Sequence, residues 1–167
     1  NAGTLTSDNN GGANYNPTIS NTIPSGGSRL AAGAATGTHI AGNISGSAAL
    51  GLSATFNASG LFLQGNNSGY SGTVTVAGAN TRLSSANAGS ASAAWVVAGN
   101  LQTDASGTMN LGSLSGSGNI SGHGTGTTPT LNVGALNTST TYSGAIVNNA
   151  NDTAVNGNAY GGSGNVL

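Results

Sequence analysis

The sequence predicts an all-β fold, a parallel β-solenoid of short strands, from three observations. Charged residues make up 3% of the 167 residues, whereas an ordinary soluble domain is roughly 25% charged. Glycine and other small residues fill most of the chain, which suits a narrow interior and frequent turns. Large apolar residues recur about every ten or eleven positions within short strand-like segments. A thin core built from stacked short strands accounts for all three observations.

Ten segments carry strand signals. Alternation of apolar and polar residues is clearest at 61–64, 73–76, 109–111 and 130–133. Weaker signals lie at 18–23, 39–44, 49–56, 95–101, 119–121 and 145–147. Clusters of Gly, Asn and Ser separate these segments and predict turns. Helix is not expected, because glycine interrupts nearly every stretch, including the Ala-rich and Ser-rich run from Ala86 to Ala98.

The spacing of the large apolar residues decides between two architectures. They are Ile19, Leu30, Ile40, Leu50, Leu61, Leu83, Val96, Met109, Ile120 and Leu131. Such a spacing also fits a β-sandwich, which is the runner-up. The shortness of the strands and the small interior residues favour a solenoid, in which two intervals make a coil of about 20 to 22 residues. These residues leave the handedness of the coil open.

The length fits a single domain over residues 1–167, either a whole subunit or a piece of a longer repeat protein. A formal net charge of −1 leaves little repulsion between copies. Residues 1–5 and 162–167 are uncharged and can form strands. We therefore expect 1–17 and 148–167 to act as terminal strands or arms that join copies into a homo-oligomer or filament.

Few residues are suited to catalysis or cofactor binding. The acidic residues are aspartates at 8, 104 and 152, with no Glu or Cys to accompany them. His39 and His123 have no second ligand at metal-binding spacing. We predict no catalytic, metal or cofactor site, and no enzyme. Two arginines make no nucleic-acid footprint, and no apolar run is long enough to span a membrane.

Three aromatic residues are candidates for contact or for stacking on a ligand: Trp95, Tyr70 and Tyr142. In that hypothesis the partner is a glycan or a host surface. The alternative is that Trp95 packs in the core or at a contact and that the tyrosines lie at strand ends. Aromatic residues are only 4% of the chain and are evenly spread, which favours the alternative.

An imperfect internal repeat links two parts of the chain. Tyr70-Ser-Gly and Tyr142-Ser-Gly lie 72 residues apart, and a short strand signal precedes and follows each triplet. The text of residues 60–76, Gly-Leu-Phe-Leu-Gln-Gly-Asn-Asn-Ser-Gly-Tyr-Ser-Gly-Thr-Val-Thr-Val, resembles the β-strand repeats associated with autotransporter passengers. Residues 39–46 and 111–121 are similar to linking text of such surface proteins. The resemblance covers about residues 36 to 147, and the second copy lacks the Leu-x-Leu-x-Gly opening.

The resemblance implies a right-handed parallel β-helix that is secreted or displayed on a bacterial surface. It also implies a role in adhesion or in a structural layer. Together with the composition, it predicts a non-enzymatic extracellular structural protein that self-associates into a surface fibre, filament or matrix. The alternative is an adhesin or carbohydrate-binding passenger domain displayed on the cell surface.

Overall fold

The computed structural model describes residues 38–54, 60–78, 80–123 and 127–147 in full, and the backbone of four further strands within residues 3–32. Every regular element in these residues is a β-strand. The strands are β1 (Gly3–Ser7), β2 (Ala13–Tyr15), β3 (Asn21–Thr22), β4 (Ser28–Ala32), β5 (Thr38–Ile40), β6 (Ile44–Ser45), β7 (Leu50–Ala54), β8 (Leu61–Leu63), β9 (Thr73–Gly78), β10 (Asn80–Leu83), β11 (Ser90–Val97), β12 (Asn100–Thr103), β13 (Gly107–Ser115), β14 (Asn119–Gly122), β15 (Pro129–Val133) and β16 (Ile146–Val147).

The strands form two seven-stranded sheets and one short ladder. Sheet A has the order β1-β4-β7-β9-β11-β13-β15, sheet B has the order β16-β14-β12-β10-β8-β5-β2, and β3 pairs with β6. All of these ladders are parallel. The fold is therefore a right-handed parallel β-helix. The runner-up, a sandwich, is wrong because its sheets would be antiparallel.

The spacing of ten or eleven residues reflects alternation between the two sheets. Ile40 lies in sheet B, Leu50 in sheet A and Leu61 in sheet B again. Two such intervals complete one coil, so register partners in adjacent coils are one coil length apart. That length ranges from 19 residues, between Asn100 and Asn119, to 26, between Ile120 and Ile146. The predicted length of about 20 to 22 lies within this range.

The four clearest strand predictions are confirmed by β8, β9, β13 and β15. Two weaker segments are split by a corner of the coil: 39–44 divides into β5 and β6, and 95–101 divides into β11 and β12. The stretch with helical composition is strand β11 from Ser90 onward. Strands β4 and β10 were not predicted, because their apolar residues do not alternate. Phe56, in the predicted 49–56 segment, and the whole of the predicted terminal arm 148–167 lie outside the described residues.

The interior is one buried cluster, filled by register rows from both sheets. The rows are Leu50, Val74, Trp95 and Leu114 in sheet A, and Leu61, Thr81, Leu101 and Ile120 in sheet B. None of these side chains is more than 8% exposed. Each large aliphatic one contributes about 1.5–3 kcal/mol by leaving water. Each of four coils thus contributes one residue of these rows from each sheet to the core.

A column of glycines forms the corner that leads into sheet B. Its members are Gly78, Gly99, Gly118 and Gly144, one per coil. A Cβ on Gly99, Gly118 or Gly144 would lie under 3.0 Å from the carbonyl oxygen of the glycine one coil earlier. Only glycine lets the backbones of successive coils approach this closely. The glycine content is therefore partly a requirement of stacking.

Asparagine side chains connect the coils to one another. The amide of Asn67 accepts from the Ile44 N–H at 2.8 Å and donates to the Ala88 carbonyl at 3.1 Å. The side chain is 5% exposed, so it satisfies buried backbone groups of the coil before and the coil after its own.

Two asparagine pairs form rungs between adjacent coils. Asn100 Nδ2 donates to Asn80 Oδ1 at 2.7 Å, and Asn132 Nδ2 donates to Asn110 Oδ1 at 3.0 Å. Both pairs are register partners. At these positions the asparagine amides form ladders that run from one coil to the next.

The first Tyr-Ser-Gly triplet forms a joint with the preceding coil. Tyr70 bridges to Gly46, and the Ser71 N–H donates to the Gly46 carbonyl at 2.9 Å. Gly46 has φ +108°, which favours glycine. The Tyr70 hydroxyl donates to the Ala48 carbonyl, two residues beyond this glycine.

The second triplet repeats the joint at a different corner. Tyr142 bridges to Gly116, whose φ is +107°, and the Ser143 N–H donates to the Gly116 carbonyl at 2.9 Å. The Tyr142 hydroxyl donates to the Gly118 carbonyl at 2.6 Å. The first joint leads into sheet A at β9, and the second leads into sheet B at β16. The internal sequence repeat therefore corresponds to a repeated structural joint, which precedes a sheet A strand in one case and a sheet B strand in the other.

Candidate functional site

The aromatic candidates lie within the fold or against it. Trp95 and Tyr70 are each only 2% exposed, and Tyr142 is partly buried against the core. A ring that stacks on a sugar must present a face to solvent, so Trp95 and Tyr70 are core residues. The alternative placed Trp95 there but expected the tyrosines at strand ends, and Tyr70 is instead buried at a bridge to Gly46. Burial raises the pKa of Tyr70 to about 12 and also raises the pKa of Tyr142.

Tyr70 and Trp95 lie on one gap inside the solenoid, whereas Tyr142 belongs to the other joint. The two buried rings line an interior gap of about 10 Å³, together with Asn67 and Ser90. This volume holds about one water molecule and is far too small for a sugar. The indole Nε1 of Trp95 is buried without a hydrogen-bond partner among the described residues.

The polar cluster that the sequence did not predict is a row of three side chains, Ser84, Asp104 and His123, which we call the polar row. Each follows the sheet B strand of its coil, β10, β12 or β14. Backbone hydrogen bonds of 2.9 Å run from Asp104 N–H to the Leu83 carbonyl and from His123 N–H to the Thr103 carbonyl. These bonds hold the three residues of the polar row one coil apart. His123 Nδ1 lies 3.1 Å from Asp104 Oδ1, and the Ser84 hydroxyl lies 3.5 Å from Asp104 Oδ2.

The order of these groups decides what the polar row can do. In a serine hydrolase the histidine stands between the acid and the hydroxyl, so that it takes the hydroxyl proton. Here Asp104 stands between Ser84 and His123. The hydroxyl of Ser84 therefore meets an acceptor carboxylate and not an imidazole base. The arrangement links three coils and provides no activated nucleophile.

The electrostatics of the polar row favour the ionised carboxylate. Burial raises the pKa of Asp104, but the bond and charge of His123, the charge of Arg82 and the Ser84 hydroxyl outweigh it, leaving the pKa below its usual value of 3.8. The side chains of His123 and Asp104 are 18% and 22% exposed.

The described residues hold no group of three or more side chains suited to a metal ion.

A signal for the polar row is present in the sequence. Asp104 follows Ser84 by 20 residues, and His123 follows Asp104 by 19, which is one coil in each case. Because coil length varies along the chain, the two pairs stand out only once the coil boundaries are known. Sequence reasoning considered each residue alone and missed their stacking.

A second row of side chains lies on the face of sheet B that is opposite the core column. The His39 and Phe62 rings stack with centroids 4.2 Å apart and an interplanar angle of 2°. The guanidinium carbon of Arg82 lies 4.7 Å from the Phe62 centroid, and its Nε donates to Gln102 Oε1 at 2.8 Å. Arg82 and Gln102 are 6% and 1% exposed. In this row the buried Arg82 guanidinium is held by the face of the Phe62 ring and by the Gln102 amide. The row therefore has a structural role.

The coil at residues 127–147, which contains β15 and β16, is the most exposed part of the described stack. Among residues with described side chains, the large apolar ones that remain exposed are Val133 at 43%, Leu136 at 37% and Ile146 at 53%. All three lie in this coil, which carries no charged residue. Among the strands that the structure describes, β15 and β16 each pair on one side only.

Ile146 shows why this coil is exposed. It continues the inner row of sheet B, directly after Ile120 in register. Ile120 and the earlier members Leu101 and Thr81 are fully buried, because each is covered by the coil that follows. The core column therefore reaches solvent at Ile146, and this face of the 127–147 coil is our candidate functional site.

Comparison with known proteins adds no family. No protein-family description, curated protein or solved structure matches the chain. The described residues contain no helix that is long and apolar enough to cross a membrane.

Proposed function

We propose that the protein is a non-enzymatic extracellular structural protein that self-associates through the ends of its solenoid into a fibre, filament or matrix. The observation that carries the proposal is the exposed core column at Ile146. A second copy that covers this face would bury Ile146, just as each coil buries the column residue of the coil before it. The proposal also accounts for the lack of charge throughout the 127–147 coil.

Soluble proteins protect open sheet edges with charges, proline, bulges or covering segments. Strand β16 is Ile-Val, and β15 carries a proline only at its first residue. An edge that is apolar, uncharged and unpaired on one side favours association with another strand. Such an edge is unsuited to a protein that must remain monomeric.

Other observations support a structural role over the alternatives. The polar row lacks the order that nucleophilic catalysis requires. Trp95 and Tyr70, the main candidates for glycan stacking, are 2% exposed. The extracellular setting rests on the resemblance of residues 36–147 to passenger repeats and on the near-absence of charge.

Sedimentation velocity over a concentration series tests the proposal. We expect the full chain to form species that grow with concentration, and Ile146→Asp to shift the onset of assembly at least tenfold higher. The matched control is Thr75→Asp, on an exposed position of sheet A in the middle of the stack, which should assemble as the parent does. A parent chain that stays monomeric at millimolar concentration contradicts self-association.

A further inference from the structure

The two ends of sheet B are related along a single register column. In chain order the column contains Ala13, Thr38, Leu61, Thr81, Leu101, Ile120 and Ile146. Strand β2 is the edge at one end of the sheet, and β16 is the edge at the other. All six steps along this column are parallel pairings. A β2 strand could therefore follow β16 through one more pairing of the same kind.

We propose that β16 of one copy pairs in parallel with β2 of the next copy, so that the stack grows head to tail. This inference rests on the proposed function and specifies its joint. In the column register, Ile146 of one copy faces Ala13 of the next, and Val147 faces Asn14. The occupant of the exposed core end is therefore a second copy of this chain.

Three observations favour this occupant. Both edge strands are uncharged, Ala-Asn-Tyr in β2 and Ile-Val in β16, so no repulsion opposes their approach. The joint would place the small residue Ala13 over the exposed Ile146, as the column places Thr81 over Leu61. The contact is heterologous and does not close by symmetry, so repetition gives an open filament with one polarity.

The joint makes a prediction about which positions meet between copies. The chain has no cysteine, so introduced thiols report without background. Two single variants, Asn14→Cys and Val147→Cys, are mixed at assembling concentration and oxidised. Parallel register partners lie within the Cα separation of about 4.4–6.8 Å that a disulfide needs. We expect a covalent dimer in the mixture, and at least tenfold less dimer in either variant alone.

Two controls fix the meaning of the result. Thr73→Cys with Ala94→Cys in one chain joins known register partners of β9 and β11 and should oxidise within the monomer. Thr75→Cys mixed with Val147→Cys should give no dimer, because Thr75 lies in the middle of the stack. Sedimentation of each variant shows whether assembly persists.

Each outcome separates the joint from self-association. Dimer confined to the mixture supports head-to-tail growth. Dimer in Val147→Cys alone indicates that two β16 edges meet, which overturns the polarity while self-association stands. Assembly without a disulfide in any combination overturns this joint. A monomeric protein in which Val147→Cys resists alkylation shows that the chain covers its own end, and overturns both proposals.

Discussion

Replacing Gly99 with alanine should weaken the contact between two coils without removing any side-chain interaction. The new methyl group would lie under 3.0 Å from the carbonyl oxygen of Gly78, which is backbone. An ordinary contact of a Cβ begins at about 3.4 Å, so the corner must move outward by about 1 Å or more. The backbone N–H groups of Ala98 and Gly99 donate to the Val76 carbonyl at 2.9 and 3.0 Å across this contact.

The magnitude follows from what the shift disrupts. Overpacking against a backbone that cannot rotate away costs about 1–3 kcal/mol. Lengthening the two backbone hydrogen bonds costs about 0.5–1.5 kcal/mol each. We therefore expect Gly99→Ala to lower the free energy of unfolding by about 3 kcal/mol, which is about 6–12 °C in Tm for a chain of this size.

Urea unfolding followed by circular dichroism at two concentrations measures this effect. The matched control is Gly69→Ala, because a Cβ on Gly69 meets nothing within 4 Å. The control should be neutral or more stable by up to about 1 kcal/mol through a less flexible unfolded chain. Equal stability of the two variants would refute the stacked glycine corner.

Three further substitutions test other parts of the structure. Thr81→Val should raise Tm by about 2–4 °C, because the Thr81 hydroxyl is buried without a partner among the described residues; an unchanged or lower Tm would mean that the hydroxyl is satisfied. Asn67→Ala should cost about 2–5 kcal/mol in urea unfolding, since it leaves buried N–H and carbonyl groups of two other coils without a partner; a cost under about 1 kcal/mol would refute the bridge. The depressed pKa of Asp104 contributes stability that is present above 3.8 and is lost as pH falls through the lower folded value. Tm measured from pH 5 to pH 2 should therefore fall more steeply in the parent than in Asp104→Asn, and parallel profiles would contradict this contribution.

The sequence predicts the fold class because its signals repeat in every coil. Large apolar residues at intervals of ten or eleven specify both sheets, as Ile40, Leu50 and Leu61 show. Strand β10 was missed because Asn-Thr-Arg-Leu has no apolar alternation; Thr81 occupies a core position, and Arg82 is buried by its contacts with Phe62 and Gln102. Local pattern does not record such burial, since it depends on neighbours one coil away.

The candidate sites required the three-dimensional register. Asp104 and His123 become neighbours only because one coil between them has 19 residues, whereas other coils are longer. Ile146 reads as an ordinary strand residue, and its exposure follows from its place at the end of the column. Trp95 illustrates the reverse case: a lone tryptophan in a polar sequence fits both a ligand contact and a core position, and only the packing places it in the core.

Electron microscopy of the full chain at assembling concentration tests the central claim most directly. We expect unbranched filaments of one polarity whose axial repeat is one subunit. Seven strands in each sheet, spaced about 4.8 Å apart, give an axial repeat of about 34 Å. Isolated short rods at every concentration would contradict the account.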